Sequence, residues 1–289
     1  MSNLVTLSLH PPLHEPVLVV VLEGWIDAGA AASTAMQTIL DGHHSELVAT
    51  FDSDELLDHR ARRPMMSLVE GEVTSLAWPS IELRAITDDR GRHVLVLVGA
   101  EPDHAWRRFT DAVVELALDL GVTSVVGLGA YPAAVPHTRD TNLALTSPSA
   151  VALEAFSGFV RGTVDVPGGI QASIEYSAST AGLTALGLWA QVPHYISGMP
   201  YAPAAIALIE GLGRITGLEL QQGELVSEAA TGRDHLDQLI SGNPQHQAMI
   251  TQLEEIYDAT DLGGGFGPLP TGDELAAELQ AFLREHGDG

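Results

Sequence analysis

The hydrophobic positions fall into short continuous runs, each followed by polar residues and then by a stretch with helical spacing. The clearest run is Val94–Val98, which predicts a strand buried on both faces. Polar residues follow up to Trp106, and Asp103 is expected to cap the next helix, whose apolar face covers residues 109–120. Strand, polar turn and amphipathic helix form the repeating unit of a parallel α/β sheet.

The same pattern recurs along the chain and predicts the remaining elements. From residue 217 onward the strands stop, so residues 1–216 are expected to form an α/β core and residues 217–289 a helical subdomain. Further strands are expected at 16–22, 46–51, 74–78, 81–86, 124–128, 164–170 and 186–195. Helices are expected at 28–40, 174–183, 203–216, 221–239, 245–259 and 272–284, with a brief one after Asp52.

Three of the predicted strands end in polar clusters, at residues 23–27, 101–106 and 131–139. If these strands are neighbours in a parallel sheet, the clusters meet on the rim where such sheets bind ligands. The candidate catalytic residues there are Glu101, Asp103 and His137. The candidate ligand-binding residues are Glu23, Trp25, Asp27, Arg60, Arg62, Arg63, Trp106, Arg139 and His194.

Several of these residues also have a purely structural interpretation. Asp27 can cap the following helix while Trp25 fills the end of the sheet, or both can line a pocket. The arginine cluster (Arg60, Arg62 and Arg63) can pair with carboxylates of the same chain. It can instead clamp a carboxylate or phosphate ligand, because guanidinium groups bind such anions through two parallel hydrogen bonds.

The formal charge of −25 argues against two kinds of partner. A surface this acidic repels nucleic acid phosphates and anionic membranes, so neither is expected to bind. The sequence has no apolar stretch of 18 residues and no basic-then-apolar leader at its start. We therefore expect a cytoplasmic protein.

Two missing residue types narrow the chemistry further. The chain has no cysteine, which excludes thiol nucleophiles and thiolate metal sites, and all 13 of its Lys and Arg residues are arginine, which excludes Schiff-base chemistry. Motifs for a serine nucleophile elbow, a zinc protease, an EF-hand or a phosphate-binding loop are absent. The Gly127-Leu128-Gly129 stretch is not a dinucleotide motif, because Pro132 occupies the third glycine position. No cofactor and no metal are expected.

Several phrases spread over nearly the whole chain together resemble one family. The chain is similar to the proteasome assembly chaperone 2 family, in its longer actinobacterial form. The phrases are those at Glu23–Gly29, Asp58–Pro64, Trp78–Pro79, Glu101–Trp106, Pro136–Arg139, Pro193–Tyr195 and Leu269–Leu275.

The resemblance implies a three-layer α/β/α core similar to the nucleoside phosphorylase/hydrolase-like fold, followed by C-terminal helices. It also implies a homo-oligomer, for example a trimer, and proteasome subunits or another protein as partners. Some of these chaperones dock on the proteasome ring through a C-terminal hydrophobic-Tyr-any tail. This sequence ends His286-Gly287-Asp288-Gly289 without that pattern and so departs from the family in this docking mode.

Two functions follow from these observations. The first is a non-enzymatic assembly or scaffolding protein, which the resemblance, the acidic surface and the lack of catalytic motifs favour. The second is a hydrolase-like or phosphorylase-like enzyme, or an anion sensor, that uses the carboxylates, His137 and the arginines of the rim. The enzyme or sensor function requires those side chains to lie together around a cavity. It also requires that they are not all paired with one another.

Overall fold

A computed structural model describes residues 4–8 and 12–259. The helix expected at 272–284 lies outside the described residues. The strands are β1 (Val5–Leu7), β2 (Val17–Glu23), β3 (Glu46–Phe51), β4 (Met65–Val69), β5 (Glu72–Ala77), β6 (Ile81–Thr87), β7 (His93–Ala100), β8 (Ser124–Ala133), β9 (Leu143–Thr146) and β10 (Thr184–Pro193). The α-helices are α1 (Ala31–Gly42), α2 (Ser53–Leu56), α3 (Trp106–Asp119), α4 (Ala150–Glu154), α5 (Ile170–Thr180), α6 (Ala202–Thr216), α7 (Leu225–Ser241) and α8 (Pro244–Ala259).

The main sheet has eight strands in the order β1-β3-β6-β7-β2-β8-β10-β9. Its centre, β7-β2-β8-β10, is parallel, and antiparallel strands extend it on both sides. The continuous apolar runs predicted from the sequence occupy these central strands, since a parallel sheet is covered on both faces.

Helices cover both faces of this sheet and create two separate cores. One core lies under α1 and α6, where Met36, Ile39 and Leu208 are buried. The other lies under α3 and α5, where Phe109, Leu116 and Ile174 are buried. This is the three-layer α/β/α arrangement expected for the chain, with a mixed sheet instead of a wholly parallel one.

The segment before β6 departs from the sequence-based expectation. The strand expected at residues 74–78 is β5, but it pairs with β4, which the sequence pattern did not reveal, in a separate two-stranded sheet. Every residue of both strands is exposed. Below we call this hairpin, residues 65–77, the arm.

The strand expected at residues 164–170 is wrong. Residues 161–169 contain no regular element, and α5 begins directly at Ile170. One proline and two glycines of the segment, Pro167, Gly168 and Gly169, explain the error, because such residues interrupt ladder pairing even where valines suggest a strand.

The C-terminal helices pack less deeply than the core. Along α7 the buried residue is Leu225, and along α8 the buried residues are Ile250 and Leu253. Helix α7 lies against α6, and α8 lies against α7. None of the helices in the described ranges is long and apolar enough to cross a bilayer.

Glu175 is a carboxyl group enclosed between α5 and the sheet. It is 5% exposed and accepts a hydrogen bond from the Gln171 side chain at 3.0 Å. Burial raises the pKa of Glu175 to about 7, and the Gln171 amide opposes that rise only in part. The folded state therefore holds this proton more tightly than the unfolded state does.

Glu175→Gln is expected to raise the free energy of unfolding by about 2–3 kcal/mol at pH 8 and to change it little at pH 5. A raised pKa means that stability is present at low pH and is lost as the pH rises toward about 7, where the wild-type carboxyl ionises in the core. Denaturant titrations at several pH values test this, with the exposed Glu115→Gln as control. A difference that does not vary with pH would contradict the burial argument.

Candidate functional site

The three polar clusters do follow neighbouring strands. β7, β2 and β8 are adjacent and parallel, so their carboxyl ends share one rim. The backbone N–H of Glu101 donates to the carbonyl of Glu23 at 2.7 Å, which continues the β2–β7 pairing into the turns. Asp27 forms an isolated parallel bridge with Ala130 and so joins the first turn to β8.

Glu101 caps a helix that is distant in sequence. Its carboxylate is 8% exposed and accepts the backbone N–H of Ile170 at 2.7 Å, at the first turn of α5. The residue before that helix is Gly169, which has no side chain to offer as a cap. A carboxylate at a helix N-terminus satisfies an orphan N–H and interacts favourably with the helix dipole.

The expectation that Asp103 caps α3 is wrong. The N-cap of that helix is Ala105, in the left-handed region at φ 54°. Asp103 instead accepts the backbone N–H of Asp58 at 2.8 Å and pairs with the guanidinium of Arg62. Partial burial raises the pKa of Asp103, but the Asp58 N–H and Arg62 outweigh it and hold the pKa below its usual range. Asp103 thus fixes the arginine-cluster loop to the rim.

The arginine cluster is divided between two environments. Arg62 and the Glu101 side chain both lie over Gly24, because a Cβ on Gly24 would meet both of them. Arg60 and Arg63 are exposed, and their side chains make no ion pair with the described residues. Intramolecular pairing, one of the two readings of this cluster, therefore holds for one arginine of the three.

Aromatic residues border this first group. Trp25 is half exposed, so it does not fill the sheet end, and its ring lies against Gly169. The indole N–H of Trp106 donates to the carbonyl of Pro102, which closes the turn before α3. The group formed by Glu23, Trp25, Arg62, Glu101, Asp103 and Trp106 is called the β2–β7 group below.

The structure resolves the two readings of Asp27 in favour of a cap. Its carboxylate accepts the backbone N–H groups of Ala32 and Ser33 at 2.8 and 3.0 Å, and the Ser33 hydroxyl at 2.7 Å. These groups belong to the first turn of α1, so the side chain satisfies donors that the helix leaves free.

His137 lies in a second group, at the ends of β8 and β10. It is 4% exposed, and the Tyr195 hydroxyl accepts its backbone N–H at 2.8 Å. The same hydroxyl contacts Nδ1 at 2.7 Å, while Nε2 lies 3.1 Å from the Asp237 carboxylate. Because a carboxylate only accepts, Nε2 carries the proton and the Tyr195 hydroxyl donates to Nδ1. Neither ring nitrogen is left for a substrate.

Arg139 connects the rim to α8. Its guanidinium binds the Asp258 carboxylate through two hydrogen bonds of 2.8 Å and the Glu254 carboxylate at 3.0 Å. The hydrogen bonds to Asp258 raise the pKa of Arg139 and lower that of Asp258. Nearby, the Tyr257 hydroxyl donates to the carbonyl of Asp140. These bonds latch the C-terminal helices to the β8 loop.

A cavity of about 640 Å³ adjoins this second group. It lies between the β8 loop, α6 and α7, and His137, Arg139, Tyr201 and Arg233 are among its lining residues. No residue of the β2–β7 group lines it. The candidate rim therefore separates into two groups, of which the second borders this cavity.

The sequence pattern did not identify the residues of α7 and α8 that bind this group. The sequence separation between these partners and the residues they bind is about 100 positions or more, for Asp237, Glu254 and Asp258. In the sequence, the acidic residues of these helices resembled ordinary solvent-exposed faces. The Pro193-His194-Tyr195 phrase was a signal for Tyr195. His194 itself packs edge to face against the Tyr195 ring and lies 3.3 Å from the carbonyl of Ala133.

Within residues 4–8 and 12–259, no three His, Asp or Glu side chains are grouped closely enough to hold an ion.

Glu101→Ala is expected to lower the free energy of unfolding by about 1–3 kcal/mol, because it leaves the buried Ile170 N–H without an acceptor. Glu23→Ala is the matched control, since this exposed carboxylate lies on the same rim and should change stability by less than about 0.5 kcal/mol. Denaturant unfolding of both variants measures the difference. Equal effects would contradict the capping role.

The model of the PAC2 family matches residues 21–240, which extend from the end of β2 almost to the end of α7. The chain belongs to the PAC2 family. Among curated proteins, none matches this chain.

Solved structures of PAC2 proteins and their relatives share the fold. A protein of unknown function from Corynebacterium glutamicum is 30% identical over 89% of this chain and 97% of its own, with a TM-score of 0.83. One of unknown function from Mycobacterium tuberculosis is 35% identical over 89% and 91%, with a TM-score of 0.81. A proteasome-assembly chaperone homologue from M. tuberculosis is 28% identical over 81% and 99%, with a TM-score of 0.74.

Proposed function

We propose that this PAC2 protein is a non-enzymatic assembly or scaffolding protein that works as a homo-oligomer and binds other proteins, with proteasome subunits as the first candidates. The relation to a proteasome-assembly chaperone homologue supports the choice of partner. The oligomer, expected to be a trimer or a similar closed ring, is the form in which the protein acts.

One observation carries the proposal: four of the candidate side chains, Glu101, Asp103, His137 and Arg139, are bonded to the fold itself. Glu101 caps α5, and both nitrogens of His137 are engaged. Asp103 and Arg139 each hold charged or backbone partners of the same chain. A general base or an anion clamp needs a free atom that points at its substrate, and these side chains instead build a rigid surface.

The enzyme alternative requires the candidate residues to surround one cavity. Glu101 and Asp103 do not line the cavity that His137 and Arg139 border, so the full set of proposed acid, base and anion-binding groups does not surround that cavity. This separation favours the assembly role over a hydrolase-like or phosphorylase-like reaction.

The proposal also assigns roles to two parts of the chain. Residues 1–216 act as the rigid core, and residues from 217 on act as a helical subdomain that the latch at Arg139 holds in place. A cytoplasmic location follows from the proposed partners.

Native mass spectrometry of the untagged protein, purified gently from its own host, tests the proposal. A proteasome subunit at fixed stoichiometry on a homo-oligomer is the expected result. A bare oligomer that carries a tightly bound small anion would overturn the assembly role and favour the enzyme or sensor.

A further inference from the structure

The arm is an apolar feature that the fold leaves uncovered. Its strands are joined by a two-residue turn at Glu70 and Gly71, whose φ values of 50° and 90° match the tight turns of twisted hairpins. At its base, the Trp78 ring packs edge to face on His59, with centroids 4.9 Å apart. The arm is thus a defined element rooted beside the arginine cluster.

A bulge places apolar side chains on both faces of the arm. Ser67 pairs with Ser75, but Leu68 pairs with Val73, so Thr74 is an extra residue and the alternation shifts there. Exposure is high throughout, reaching 73% for Met65. Isolated two-stranded hairpins with apolar faces are marginal in water, and such patches indicate a protein contact. The exposed apolar residues of the arm are Met65, Met66, Leu68, Val69, Val73 and Leu76.

The charges around the arm are separated along its length. Arg60 and Arg63 lie just before its base, while Glu70 and Glu72 lie at its tip. Five residues of extended chain put the tip about 17 Å from the base, so these charges cannot pair within one chain. A second chain laid against the arm can bring its own acidic tip onto this arginine cluster.

Local charge also favours a second copy as the occupant. Residues 58–78 carry three arginines and three acidic residues and are therefore neutral, while the whole formal charge of −25 lies elsewhere. Two copies repel each other over most of their surface, and this neutral, apolar segment is where they can approach closely.

We infer that the arm is the self-association surface of this protein: it docks on a second copy, with the acidic tip of one arm on Arg60 and Arg63 of the other. The inference deepens the proposed function, since it rests on the homo-oligomer and names the surface that forms it. The arm and the cluster supply about 20 residues, which is the number that each side of a standard interface of about 800 Å² per partner contributes.

The first test removes the apolar contacts. The triple variant Met66→Ser/Leu68→Ser/Leu76→Ser is expected to be a smaller species than the wild type in light scattering at micromolar concentration, with its circular dichroism unchanged because these side chains are exposed. Val151→Ser/Tyr176→Ser, which removes two exposed apolar residues elsewhere, is the control and should keep the wild-type mass.

The second test reverses the charges. Arg60→Glu/Arg63→Glu is expected to weaken self-association by at least about tenfold. Adding Glu70→Arg/Glu72→Arg to the same chain should restore it, because every copy then carries a basic tip and an acidic cluster.

The outcomes separate this inference from the proposed function. A wild-type oligomer that survives the triple variant overturns the arm as the interface and leaves the oligomer intact. A failure of the four-fold charge reversal to restore association overturns the tip-to-cluster contact. A monomeric wild type overturns both the inference and the proposed oligomer. The arm would then be a candidate binding surface for a different protein.

Discussion

Gly99→Ala is expected to destabilise the protein by about 3–5 kcal/mol, a large share of the 5–15 kcal/mol that holds a typical domain together. Gly99 has a φ of 118°, a backbone conformation that residues with a side chain rarely adopt. A Cβ there would collide with the backbone carbonyl of Ser80 and come within 2.9 Å of the Cα of Ile81. Neither neighbour can move easily, because β7 is held between β6 and β2.

Gly91→Ala separates crowding from backbone strain. Gly91 also has a positive φ, 81°, but lies in an exposed turn where an added Cβ would meet nothing within 4 Å. Its cost should be about 1 kcal/mol, from the backbone alone. Denaturant unfolding of the two variants measures the difference, and equal losses would show that the close approach at Ser80 is not what requires glycine.

Arg139→Ala is expected to release the C-terminal helices from the core. It removes the two-bond pair with Asp258 and the bond to Glu254, which are charge-assisted contacts of α8 with the β8 loop. Amide hydrogen exchange in residues 244–259 should accelerate by at least about tenfold, while exchange in α5 stays unchanged.

Two further variants make this result specific. Arg107→Ala removes an exposed arginine of α3 and should leave exchange in α8 unchanged. Arg139→Lys keeps the charge but loses the planar two-bond geometry, so an intermediate acceleration is expected. Acceleration spread over the whole chain would mean that the latch stabilises the core itself, against the proposed division near residue 217.

Much of the fold was predictable from residue pattern alone. The apolar runs at β2, β7, β8 and β10 each identified a central strand, because a strand buried on both faces needs continuous hydrophobicity. The helical spacing of α3 and α6 was equally clear. Their order along the chain then fixed a parallel centre and brought three polar turns to one rim.

The exposed arm and the binding partners of the polar side chains in the turns could not be predicted from the residue pattern. β4 carries apolar residues without a core to face, so its pattern resembled an ordinary buried segment. Asp103 occupies a plausible N-cap position in the sequence, but its carboxylate binds Arg62, which is distant in sequence, and does not cap α3. His137 and Asp237 are 100 residues apart, and no local pattern reveals such a pair.

The most direct test of the assembly role is the rate at which purified proteasome α subunits of the same organism form rings, followed by native mass spectrometry with and without this protein. We expect a transient complex of α subunits with a homo-oligomer of the chain, and faster ring formation in its presence. Ring formation at an unchanged rate, with no complex at any time, would contradict the account.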